Sequence, residues 1–118
     1  MKGEQKMKLA KSITDILESR DINIISTEKQ QNEYITELEF WSDAGEDFII
    51  TLWHDRTKKS FVDAFISYFL DFDPDEHAEM WVEYRGTRGV PESIRTLIDD
   101  ADSIKAFLEE TATALRTA

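Results

Sequence analysis

The stretch from Ser60 to Tyr84, SFVDAFISYFLDFDPDEHAEMWVEY, constrains what this chain can become more than any other. It brings Phe61, Phe65, Phe69 and Phe72 close to Tyr68, Trp81 and Tyr84, with Phe48 just upstream as their expected sheet partner. The spacing predicts two helices joined at Asp73-Pro74. The first is apolar at 61, 62, 64, 65, 66, 68, 69, 70 and 72, and a helix that is hydrophobic all round is a buried one. These aromatics are therefore expected to form the interior and leave the charged groups outside. The second helix has a sharp start: Asp73 caps it, Pro74 takes the first helical position, and Asp75 and Glu76 place carboxylates in its positive first turn.

The rest of the chain must pack around this pair. Residues 5–20 carry Met7, Ala10, Ile13, Ile16 and Leu17 at three- and four-residue spacing, which predicts an amphipathic helix. Residues 22–28 are short and β-branched, a strand. Tyr34 to Trp41 and Phe48 to Trp53 alternate, and the turn between them contains Gly45. One face of this hairpin is cleanly apolar. The other mixes Ile35, Trp41, Ile49 and Trp53 with Glu37 and Glu39, so it is either covered by further chain, the commoner outcome, or a contact surface. Ser60, with Asp63 three residues on, is the expected cap of the central helix.

Past a loop at 86–90, Pro91 opens a last helical region. Its stripe of Ile94, Leu97, Ile98, Ala101, Ile104, Leu108 and Leu115 needs the domain's own core or a second copy as partner, and the core is favoured. The run Asp99-Asp100-Ala101-Asp102 is poor helix sequence and leaves a division into two helices open. The expected fold is α+β in a single domain over residues 1–118. It comprises an N-terminal helix, a small antiparallel sheet of about three strands, then three to four C-terminal helices packed on one sheet face.

Charge carries the most functional information. Twenty-five acids against 14 bases give a net charge of −11. Residues 28–55 hold one base and eight acids, and residues 71–118 hold five and twelve, so two acidic blocks flank a neutral-to-basic centre. Such a surface repels phosphate, which argues against direct nucleic-acid binding but favours a protein partner with a basic surface. No apolar run approaches the ~18 residues of a membrane span. The N-terminal charges precede no apolar segment of the kind an export signal needs. With no cysteine, a cytoplasmic location is the expectation.

Motifs that would carry chemistry are weak. Asp71, Asp73 and Asp75 begin like a calcium loop, but its sixth position is Glu76 rather than glycine and its twelfth is Val82 rather than glutamate. His54 and His77 can be drawn with Asp55, Asp73 and Glu76 as a two-histidine carboxylate site, without any supporting spacing. Ser60, Ser67 and Ser93 lack a nucleophile elbow. The run Gly86-Thr87-Arg88-Gly89 lacks the lysine and spacing of a phosphate loop. No catalytic residue, metal ligand or cofactor is therefore expected.

The segments LEFWSDAGEDFIITLWHD, FVDAFISYFLDFDPDEHAEMWVE and GVPESIRTLIDDADSIKAFLEE resemble a group of small acidic proteins of gut Firmicutes, often carried on phages and integrated elements. Asp75-Glu76-His77, Glu79-Met80-Trp81 and Gly89-Val90-Pro91 are the most recognisable points. The resemblance implies a bacterial cytoplasm and a mobile-element setting, and carries no functional residues with it.

The leading expectation is thus a non-enzymatic, acidic protein-binding module. More specifically, it is an anti-defence inhibitor whose carboxylates imitate nucleic-acid phosphates in the channel of a restriction enzyme or RNA-guided nuclease. Its contact residues would be Glu37, Glu39, Asp43, Glu46, Asp47, Asp75, Glu76, Glu79 and Glu83. The alternative is a self-associating structural or regulatory module, a homodimer using the 94–115 stripe or the face around Trp41 and Trp53. A small metal-dependent or hydrolytic enzyme is third.

Overall fold

The two alternating runs pair with the short β-branched segment to form a three-stranded antiparallel sheet. A computed structural model of the protein describes residues 9–43, 45–83 and 94–118, with the backbone alone for 79–83 and 94–97. The elements are α1 (Lys11–Ser19), β1 (Asn23–Gln30), β2 (Glu33–Trp41), β3 (Asp47–His54), α2 (Lys58–Asp71), α3 (Pro74–Glu83) and α4 (Ile94–Arg116). The sheet order is β1-β2-β3, so β2 is central and both other strands are edges. This is the expected α+β architecture: one helix, three antiparallel strands, then helices.

Alternation decides which side of the sheet the helices take. Thr27, Thr36, Leu38, Phe40, Phe48, Ile50, Leu52 and His54 are all buried and line one face. Against them pack Phe61, Val62 and Phe65 of α2, and Ile104, Leu108 and Leu115 of α4, with Ile13 and Leu17 of α1. Complete burial of a side chain such as Phe65 or Leu108 contributes about 1.5–3 kcal/mol. The aliphatic stripe of α4 is spent on this core from Ala101 onward, while Ile98 remains exposed.

Polar contacts fix the helices relative to one another. Lys105 of α4 donates to the carbonyls of Phe69 and Phe72, at 2.6 and 2.7 Å, and so caps the C-terminal end of α2. The same ammonium lies 4.5 Å from the Phe69 ring centre. Arg20, at the end of α1, donates to the Thr111 hydroxyl and to Glu110 while its guanidinium covers the Phe107 ring.

Several expectations are corrected. Helix α1 begins at Lys11 rather than near residue 5, with Leu9 and Ala10 in non-helical backbone and Met7 outside the described residues. The cap of α2 is Thr57, whose side chain accepts from the Ser60 amide; Ser60 instead accepts from the Asp55 amide. Helix α2 is not buried all round, since Leu70 is 66% exposed and Ser67 and Asp63 also face solvent. Helix α4 runs unbroken through Asp99–Asp102. Asp100 is buried there and accepts the Ser42 hydroxyl at 2.8 Å, so tertiary packing overrides weak propensity. The loop at 86–90, Pro91, Tyr84 and the Trp81 side chain lie outside what is described.

Candidate functional site

The second face of the sheet is open. In an antiparallel pair, opposed residues share a face. The register therefore sets out four rows: Glu28, Ile35 and Trp53; Ser26, Glu37 and Thr51; Asn23, Glu39 and Ile49; then Trp41 beside Asp47. Trp41 is 64% exposed, Trp53 53% and Ile49 44%. Among the described residues no further chain covers this face, contrary to the expectation. Among the described residues the helices pack on the inner face, which leaves these apolar groups standing among carboxylates. Trp41 and Trp53 occupy opposite ends, their backbones about 20 Å apart along the strands at ~3.3 Å per residue.

Strand β1 adds one group the alternation hides. Its register slips between Ile24 and Ser26, so Ile25 is an extra, exposed residue and the in–out parity of the strand changes there. Glu28 consequently joins Ile35 and Trp53 on the open face.

The electrostatics of the face are frustrated. Glu39 and Asp47 sit diagonally across β2 and β3, where a protonated Glu39 carboxyl can donate a hydrogen bond to the Asp47 carboxylate. That bond, with partial desolvation and the Asp47 charge, raises the Glu39 carboxyl above its ordinary value. A cation placed between them would relieve the repulsion.

Where the face meets the helices, an open groove of about 700 Å³ is lined by Phe48, Tyr68 and Phe72 together with Asp47, Asp71, Asp73, Glu76, Glu46 and His77. The expected closed aromatic interior is thus only partly realised: Phe61 and Phe65 are buried, whereas Tyr68 and Phe72 border this groove. His77 Nε2 contacts both Glu46 carboxylate oxygens, at 3.0 and 2.9 Å, between the Phe48 and Phe72 rings. Burial, and next the Glu46 charge, raise the Tyr68 phenol above its ordinary value, so it stays protonated.

The other chemical candidates are accounted for structurally. His54 is buried, with Nδ1 2.7 Å from the Asp55 carbonyl and Nε2 2.7 Å from the Thr36 hydroxyl. A carbonyl only accepts, so Nδ1 carries a proton. In the neutral ring Nε2 then accepts from Thr36, whose oxygen in turn lies 3.0 Å from Thr27 Oγ1. Among the described residues no three metal-ligating side chains converge. The Ser60 hydroxyl accepts from the Asp55 amide and Ser67 is exposed on α2, while Ser93 and Arg88 lie outside the described residues.

The nine sequence-predicted contact residues separate into groups. Glu37, Glu39 and Asp47 share the open face, and Asp43 is exposed in the loop that leads from β2 to β3. That loop is closed by Ser42 and Glu46 and turns at Gly45, whose φ of 91° favours glycine. Glu46 is turned toward His77. Asp75 and Glu76 are exposed at the start of α3, where Asp73 accepts from both their amides. The Glu79 and Glu83 side chains lie outside what is described. Missing from the nine are Trp41, Trp53, Ile49 and Glu28; alternation marks the first three, while the bulge conceals the fourth. Comparison with protein-family models, curated proteins and solved structures gives no match, so function rests on this geometry.

Proposed function

We propose that the protein is a non-enzymatic binding module whose open sheet face docks a partner protein with a basic, partly apolar surface. One observation carries the reading: Trp41, Trp53 and Ile49 stand exposed on the same face as Glu28, Glu37, Glu39 and Asp47. Large apolar groups left together in water are a contact patch in waiting. Tryptophan is a residue type in which binding energy concentrates, and the surrounding carboxylates select a cationic partner. The net charge of −11 favours the same partner at longer range. The basic channel of a nucleic-acid-binding defence nuclease is one surface of this kind. The mix of indoles and carboxylates favours a protein–protein patch over a pure phosphate imitation.

Self-association is the weaker reading. The α4 stripe is consumed by the core from Ala101 onward, and two copies of the open face would oppose the same carboxylates. An enzymatic reading has one specific observation in its favour, the His77–Glu46 pair beside Tyr68 in an open groove.

The test is capture of partners from host lysate across a salt series, with Glu37→Lys/Glu39→Lys as a comparison bait. Carboxylate-assisted capture should weaken steeply toward 1 M salt, where screening shortens to about 3 Å, and should fail for the charge-reversed bait. Capture indifferent to both salt and charge reversal contradicts the reading. Hydrolytic turnover abolished by His77→Ala would replace it with the enzymatic one.

A further inference from the structure

The two edges of the sheet are unlike. Edge strand β1 is blunted by its bulge at Ile24–Ser26 and by exposed Glu28 and Lys29, devices that discourage another strand from pairing. Edge strand β3 has none of them. It pairs with β2 from Asp47 to His54 without a slip, and holds neither proline nor a charged side chain between Phe48 and Trp53. About half of an edge strand's amides and carbonyls point away from its only neighbour. Among the described residues, no turn, cap or side-chain hydrogen bond reaches the backbone of residues 48–53.

Resting on the reading of the protein as a module for a basic partner, we propose that the partner is received by strand addition. An extended segment pairs its backbone with the free edge of β3 and sets an arginine or lysine beside Asp47. Backbone pairing supplies affinity in such complexes and alternate side chains supply specificity. Along the outward row of β3 the newcomer meets Asp47, Ile49, Thr51 and Trp53 in turn: a carboxylate, two β-branched groups and an indole. Its basic end lies at Asp47, because the adjoining groove adds Asp71, Asp73 and Glu76 and, among the described residues, no lysine or arginine. At the far end Trp53 offers a face for a second guanidinium or an aliphatic side chain. A second copy of this chain is a poor occupant, since it brings its own charge of −11 to the same edge.

The probe is an end-blocked octapeptide of alternating valine and arginine. It is compared with two versions N-methylated on alternate backbone nitrogens, one for each pairing register, which keep charge and side chains but lose backbone donors. Binding is followed by titration and by amide hydrogen exchange of the full chain. The expected result is at least tenfold tighter binding of the unmethylated peptide, with at least tenfold slower exchange of outward amides in residues 47–54. Thr51→Lys, with unchanged circular dichroism, should weaken binding at least tenfold. Equal binding by all three peptides without β3 protection overturns strand addition and leaves a cation docking on the open face. No peptide binding, while protein capture through Glu37 and Glu39 persists, also overturns strand addition alone. Loss of that capture as well removes the reading beneath it.

Discussion

Glu39 and Asp47 meet diagonally on the outer face of the sheet, and the hydrogen bond that a protonated Glu39 can donate to Asp47 raises the Glu39 carboxyl above its ordinary value. The folded state therefore holds this proton more tightly than the unfolded chain does. The stabilisation is complete below the unfolded carboxylate value near ~4.3 and is lost as pH rises through the raised folded value. Glu39→Gln should flatten that part of the stability–pH curve and leave the protein at least as stable as the parent at pH 7. Denaturant melts from pH 4 to 8 check this, and a variant curve parallel to the parent's would contradict it.

Asp55 works in the opposite direction. Its carboxylate accepts from the Thr57 hydroxyl and amide, both at 2.7 Å, which lowers its value. The stability it adds is present above the ordinary aspartate value and lost as pH falls through the lowered one. Asp55→Asn should melt at a lower temperature than the parent at pH 7, with the difference shrinking as pH falls through the lowered value.

The buried chain Thr27–Thr36–His54 makes a structural claim about a histidine that sequence alone leaves ambiguous. Thr36→Val keeps the shape but strips His54 Nε2 of its 2.7 Å partner. An unpaired buried group costs about 1–3 kcal/mol. Chemical denaturation should show that loss, whereas Thr36→Ser should retain most of the stability. Equal losses for the two variants would locate the effect in packing.

The turn between β1 and β2 carries local strain. Gln31 sits at φ 57°, a left-handed conformation that costs a residue with a Cβ roughly 1–2 kcal/mol. Gln31→Gly should recover about 0.5–1 kcal/mol by equilibrium unfolding, net of the entropy glycine adds to the unfolded chain. A destabilised variant would show that the side chain supports the turn in another way.

The fold was legible where a single physical period governs a segment. Alternation in 34–41 and 48–53 placed the hairpin and its inner face correctly, because each residue there has only two directions to point. Asp73-Pro74 announced the start of α3, since capping is local chemistry. The sequence misleads where distant chain decides. Leu70 continues an apolar run yet lies in solvent, because α2 meets the sheet on one side only. Asp99–Asp102 reads as a break, but Asp100 is held from outside the helix by Ser42. The candidate site was half legible. The acidic composition marks Glu37, Glu39 and Asp47, whereas Glu28 reaches the face through a register slip that no periodicity reveals.

The most direct test asks which surface touches another protein inside the cell. A photo-crosslinking p-benzoyl-phenylalanine would replace Trp41, Trp53 or, as a control on the exposed side of α2, Leu70. The account predicts a shared crosslinked partner from positions 41 and 53 and none from position 70. Crosslinks from position 70 with silence at 41 and 53 would contradict it.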